Sequence, residues 1–310
     1  MRIDELLRTG DGPVFSFEFG PPRTPEAELA LWQAVEELRA LDPAFVSVTW
    51  GAGGSTRGPT LETVRRMHEL HGLEAMPHLT GIGSSAAELR ALVRSIAADG
   101  IDNLLVLRGD GEPGEIASGA DLAALARAES DLCLVGAVYP ESDELDYVRA
   151  KVDAGVSVLI TQLFFDNADY LRLVDRLRAA GIEVPVLPGI IPITALGQLQ
   201  RLVSLCRASI PPALERELGL RADDPRAVAD FGVAYATAQC AALLDAGAPG
   251  IHLYTLNRSP ATRAIVSALR CGYAARRGSG AKSSAPIRSR SSAATSDAAS
   301  ASMLSVTDRS

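Results

Sequence analysis

Eight times between residues 14 and 258 a short apolar segment alternates with an amphipathic helix, and this alternation constrains the fold more than any other feature. The strand segments are VFSFEF (14–19), FVSVTW (45–50), EAMPHLT (74–80), NLLVLRGD (103–110), LCLVGAVYP (132–140), VSVLITQLFFD (156–166), VPVLPGI (184–190) and GIHLYTLNR (250–258). Stretches such as PEAELALWQAVEELRAL and ADYLRLVDRLRAA separate them, with apolar residues at the i, i+3, i+4 helical spacing. Strands joined through helices require crossovers and therefore pair in parallel. Four returns are alike, ADGI, DAGV, AAGI and DAGA, each placing a glycine between a helix end and the next strand. Eight such units predict a (β/α)8 barrel, of the usual size of about 250 residues. A doubly wound open sheet fits less well, because no GxGxxG opens the first βα turn and eight strands exceed the usual five or six or so.

With 310 residues, 47% of them hydrophobic, the chain can bury a large α/β core. The reading is one barrel over residues 1–273, entered through an amphipathic helix in MRIDELLRTG, and a low-complexity Ser/Ala tail over 274–310 that is expected to be disordered. The tail holds six basic and two acidic residues, so the net charge of −8 splits into +4 there and −12 before it. An acidic body offers nucleic acid no phosphate-binding surface. No apolar run reaches the ~20 residues of a membrane span, and the N-terminus does not read as a leader, so a cytoplasmic protein is expected. Cys133, Cys206, Cys240 and Cys271 form no CxxC pair and read as packing residues in a reducing compartment.

In a barrel the chemistry lies at the C-terminal ends of the strands. Phe15, Phe17 and Phe19 alternate with Ser16 and Glu18, so the aromatics face the helices and Glu18 faces the barrel mouth. Thr49, His78, Thr80, Arg108, Asp110, Tyr139, Gln162, Tyr254 and Arg258 fall at the other strand ends. Alternatives remain for some: His78 can serve only a backbone carbonyl, and Arg108 and Asp110 can pair with each other. His68 and His71 close a helix and read as capping or solvated, and His252 reads as core; without HxH or HExxH no metal is expected. The glycine-rich WGAGGST (50–56) is either a tight turn or a phosphate cradle. No GxSxG or cysteine–histidine pair supplies a nucleophile, which leaves acid–base and hydrogen-bonding chemistry, with a cofactor carrying the hard step.

In this order, FSFEFGPPRT, FVSVTWGAGGSTR, PHLTGIG, LRGD, YPE, KVDAG, ITQLFFD, PGIIP and HLYTLNR resemble the catalytic barrel of bacterial methylenetetrahydrofolate reductases, over about Phe15 to Arg258. The resemblance implies reduction of 5,10-methylenetetrahydrofolate to 5-methyltetrahydrofolate, feeding one-carbon and methionine metabolism, with FAD reduced by NADH or NADPH in a ping-pong cycle and a homo-oligomeric enzyme. Carried over by position, it implies that Glu18 is the general acid and that Asp110 holds the pterin near the flavin. It likewise implies that Gln162, Tyr254 and Arg258 contact substrate, with Leu218 where an aromatic often covers the ligand. Thr49, Trp50, His78, Arg108, Gly109, Tyr139, Glu144 and Lys151 fall on motifs that hold FAD. Opening the substrate's imidazolidine ring requires a proton, and a carboxyl group in a dry mouth suits that step. The chain departs from the pattern at Gly20 and Trp50, where phenylalanine and tyrosine are usual, and in the short loop SDELDYVRAK after YPE. A proline dehydrogenase-like flavin barrel and a flavin-free pterin-binding methyltransferase barrel are the alternative readings.

Overall fold

The computed structural model describes residues 1–10, 12–50, 57–110, 114–206 and 208–278. Strands β1 (Val14–Phe19), β2 (Phe45–Val48), β3 (Ala75–Thr80), β4 (Asn103–Leu107), β5 (Cys133–Val138), β6 (Val156–Thr161), β7 (Val186–Leu187), β8 (Gly189–Ile190) and β9 (Gly250–Tyr254) form one sheet. Every pairing is parallel, in the order β7-β6-β5-β4-β3-β2-β1-β9-β8. The two ends of this list are neighbours in the chain, separated only by Pro188, so the ring closes as a (β/α)8 barrel. The expected seventh strand is thus split in two. Proline has no N–H for the ladder, and here only its carbonyl takes part, accepting from the His252 N–H at 3.0 Å.

Around the barrel lie α2 (Pro25–Arg39), α3 (Arg57–His71), α4 (Ala86–Ala98), α5 (Gly119–Glu129), α6 (Leu145–Asp153), α7 (Asn167–Ala179), α10 (Pro225–Asp245) and α11 (Pro260–Gly278). Their starts are written in the sequence: Thr24, Ser85, Ser118, Asp166 and Asp224 each cap a helix through a side-chain oxygen, and Ser85 with Glu88 forms a full capping box. The four glycines of the helix-to-strand returns, Gly100, Gly155, Gly181 and Gly247, all have φ between 72° and 107°, the left-handed conformation that ends a helix. The last helix runs to Gly278. The 21-residue α10 is long and apolar enough to span a membrane by length and composition, and in the fold it packs against α7, α11 and β9.

Apolar residues sort into three clusters. The largest lies between barrel and helices and takes Phe15, Phe17 and Phe19. A second fills the lower barrel, with Val14, Phe45, Met76, Leu105 and Val158, and is closed from beneath by Ile3 of α1 (Ile3–Thr9). Asn103 fastens this plug, accepting from the Ile3 N–H at 2.8 Å and donating to the Met1 carbonyl at 2.9 Å. The third cluster sits under α8 (Leu196–Cys206), α9 (Pro212–Gly219) and the start of α10, beside the strand ends of β6 and β8. Among the described residues the bottom is plugged, and the barrel opens towards its C-terminal rim.

Candidate active site

The inward-facing side chains change character with height. Val14, Phe45 and Met76 give way to Ser16, Ser47, His78 and His252, and these to Glu18, Thr49 and Thr80 at the mouth. Parallel register places Ser16 opposite His252 and Glu18 opposite Tyr254. The Ser16 hydroxyl and His252 Nδ1 share a 2.8 Å hydrogen bond. One oxygen of Glu18 then lies 3.5 Å from His78 Nε2 and 3.6 Å from His252 Nε2, each too long for a good hydrogen bond. Both ring nitrogens, with Ser47 Oγ and Thr80 Oγ1, are buried and have no hydrogen-bond partner among the described residues. Buried polar atoms are normally satisfied, so this cluster around and beneath Glu18 is poised to meet a water or a ligand. Burial pushes the His78 pKa down, with the attraction of Glu18 opposing and the nearby His252 adding to the shift, so His78 is neutral at neutral pH.

Above this layer opens a cavity of about 1540 Å³, beyond the roughly 300–1,000 Å³ that suits a drug-sized ligand. Thirteen of the fifteen residues singled out in the sequence line it: Glu18, Thr49, Trp50, His78, Thr80, Arg108, Gly109, Asp110, Tyr139, Glu144, Lys151, Gln162 and Tyr254. Arg108, Gly109, Asp110 and Gln162 sit in the loops after β4 and β6, not in the strands where the apolar pattern had put them. Arg108 donates to the Gly109 carbonyl at 3.2 Å, and among the described residues no ion pair joins it to Asp110. Residues 51–56 of the glycine-rich turn lie outside the described residues.

Two residues are not on this wall. Leu218 is 2% exposed and turns with Leu214 into the third apolar cluster, because the two stand four apart on amphipathic α9. Arg258 is exposed on the turn after β9, its N–H donating to the Thr255 carbonyl at 3.0 Å.

One end of the cavity suits a diphosphate. Ser118 and Gly119 open α5 on the wall there, and the N-terminus of a helix attracts anions. Arg108 and Lys151 line the same wall. Lys151 donates to the Ala137 carbonyl at 2.6 Å and lies 4.4 Å from the Tyr147 ring centroid, while the Tyr147 hydroxyl accepts from the Gly119 N–H at 3.1 Å. Burial lowers the Lys151 pKa to about 8, against the attraction of Glu144. The short loop after β5 is pinned from α7, where Arg176 donates to the Ser142 carbonyl at 2.8 Å and pairs with Asp143.

Tyr254 spans the seam of the barrel, its hydroxyl donating to the Thr161 carbonyl at 2.7 Å. Burial, with Glu18 adding, raises its pKa well above the ordinary phenol value, so it remains a donor. Sequence reasoning passed over Ser16, and it read His252 as core and Cys206 as packing, although Cys206 lines the cavity. The signal for the first two was present: they share the inward parity of Glu18 and Tyr254 on adjacent strands.

A plugged (β/α)8 barrel whose rim gathers a carboxyl group, buried imidazoles and a cationic anion pocket defines an enzyme that works on a bound organic molecule. The family model described as methylenetetrahydrofolate reductase matches residues 2–270. The 5,10-methylenetetrahydrofolate reductase of Pectobacterium carotovorum is 37% identical over 267 residues, covering 82% of this chain and 89% of that protein. The methylenetetrahydrofolate reductase (NADH) 1 of Zea mays is 34% identical, and the chain covers 48% of its length. Among solved structures, a Clostridium thermocellum protein described as binding two copies of 5-methyl-5,6,7,8-tetrahydrofolic acid superposes with a TM-score of 0.66 at 16% identity, over 88% of this chain and 99% of that one, a likeness of fold. The chain belongs to the methylenetetrahydrofolate reductase family.

Proposed function

We propose that the protein reduces 5,10-methylenetetrahydrofolate to 5-methyltetrahydrofolate in the cytoplasm, as a homo-oligomer, with FAD as cofactor and NADH as reductant. The observation that carries this reading is the continuity of one cavity from the diphosphate pocket at Arg108, Lys151 and α5 to the carboxyl group of Glu18. The donor set fits FAD: two cations and a helix N-terminus for the diphosphate, Trp50 and Tyr139 as aromatic surfaces, and the unpaired His78 Nε2 and Thr80 Oγ1 for polar groups of a ring. When bound, FAD supplies hydride transfer in two half-reactions, first from the nicotinamide and then to the folate.

The chain's own residues do the rest. Glu18 gives the proton that opens the imidazolidine ring, and the Ser16–His252 pair and neutral His78 give its carboxyl group a dry, polar floor. Asp110 and Gln162 hold the pterin by hydrogen bonds from the loops after β4 and β6. Arg258, exposed beside the mouth, meets the glutamate tail of the substrate. NADH is favoured over NADPH because the wall carries Glu18, Asp110, Glu141, Glu144 and Asp146 against Arg108 and Lys151, with Asp143 already paired to Arg176, and an added phosphate dianion would meet net negative charge.

Titration of the purified full chain with FAD tests the reading. Flavin fluorescence should quench and the protein should turn yellow; a preparation that neither colours nor quenches overturns the flavin assignment and favours the methyltransferase alternative. The pH dependence carries a sign. A diphosphate beside Lys151 favours the charged ammonium, so binding takes up a proton once the free lysine titrates near pH 8. FAD affinity is expected to hold below pH 8 and to fall above it, by at most about tenfold per pH unit. Lys151→Arg, charged throughout, should flatten that decline. An equally flat profile in the parent would remove Lys151 from the site.

A further inference from the structure

We propose that Asn257 is a positioning residue for Glu18, acting by fixing the backbone on which the carboxyl group is carried; the proposal rests on the reading of Glu18 as the proton donor. No hydrogen bond within the described residues holds the Glu18 carboxylate, whose nearest partners are the two imidazoles at 3.5 and 3.6 Å. With no hydrogen bond to anchor the carboxylate, the place from which it reaches into the mouth is set by its backbone. That backbone stands at the end of a sheet: β1 stops at Phe19, and Pro21 and Pro22 lack the N–H groups that would continue the ladder.

The corner after β9 takes over the ladder's task. The Thr255 N–H and hydroxyl both donate to the Glu18 carbonyl, at 3.2 and 2.6 Å. The side-chain amide of Asn257 then imitates a strand residue, accepting from the Gly20 N–H at 2.8 Å and donating to the Gly20 carbonyl at 2.9 Å. Its own N–H donates to the Thr255 hydroxyl at 3.1 Å, which ties the corner together. These bonds grip the chain at and two residues beyond Glu18. They also hold a costly conformation, because Leu256 at φ 49° and Asn257 at φ 58° are consecutive left-handed residues and neither is a glycine. Strain of this kind persists where the surroundings over-determine it, and here the surroundings are the backbone of the proposed acid.

The test uses the full chain loaded with FAD and follows the two half-reactions separately under anaerobic conditions. Asn257→Ala should slow reoxidation by 5,10-methylenetetrahydrofolate by roughly 10- to 100-fold, the scale of a small misplacement of a reacting group, with reduction by NADH within about twofold of the parent. Asn257→Asp keeps the acceptor for Gly20 N–H and loses the donor, so it should fall between the two; it also serves if the alanine variant does not fold. The decisive comparison is Glu18→Gln with Asn257→Ala. If Asn257 acts through Glu18, the double variant is no slower than Glu18→Gln alone. Additive losses, or equal losses in both half-reactions, overturn the positioning role. Glu18→Gln slow with Asn257→Ala fast removes Asn257 alone. Glu18→Gln fast removes the acid reading and the positioning role with it.

Discussion

Glu18→Gln is expected to slow transfer to the folate by ~10²- to 10⁴-fold, the usual contribution of general acid catalysis, and to leave reduction by NADH close to the parent rate. The amide keeps the length and hydrogen-bonding reach of the carboxyl group and removes the proton. The two half-reactions respond differently because only ring opening of the substrate needs that proton. The local fold should survive, since Glu18 is held through its backbone, by the Glu18–Tyr254 register and by the bonds from Thr255, while its carboxylate makes no hydrogen bond within the described residues. Melting temperature is the control. An unchanged folate step, or equal loss of both steps, would reduce Glu18 to a structural residue.

The second large effect is on folding. Gly189→Ala should lower the melting temperature by roughly 6–12 °C, from an overpacking cost at the upper end of about 1–3 kcal/mol and some 2–4 °C per kcal/mol for a chain of this size. Gly189 lies at the seam where Pro188 divides β7 from β8. A Cβ there would fall inside van der Waals distance of the Thr161 carbonyl oxygen and 2.6 Å from the Tyr254 hydroxyl, the two partners of the hydrogen bond that spans the seam. The Gly189 N–H also donates to Thr161 Oγ1 at 2.9 Å, so backbone retreat would break a second bond. Gly197→Ala in α8 is the comparison: an added Cβ there meets nothing within 4 Å, and the variant should be neutral or slightly more stable. Equal melting temperatures for the two variants would mean the seam is not close-packed.

Much of this barrel was legible because its elements obey local rules. The alternation of Phe15, Phe17 and Phe19 with Ser16 and Glu18 gives both the strand and the side of it that faces the cavity. The helix-return glycines could be read as breaks because only a left-handed residue ends those helices cleanly. What escaped depends on distant partners. The split at Pro188 follows from a ring that must close there, which no local period records. The burial of Leu218 was not legible, because loop residues 208–211 and α9 fold onto their own apolar cluster, and the position of a helix in an insertion is set by what covers it. Asn257 looks like an ordinary turn residue in sequence, and its part emerges only from a bond to Gly20, 237 positions away.

The most direct measurement of the central claim is anaerobic absorbance of the FAD-loaded chain, with NADH added first and 5,10-methylenetetrahydrofolate second. The visible flavin band should bleach with the first addition and return with the second, with 5-methyltetrahydrofolate formed in step with its return. A band that NADH does not bleach, or one that bleaches and is not restored by the folate, would contradict that claim.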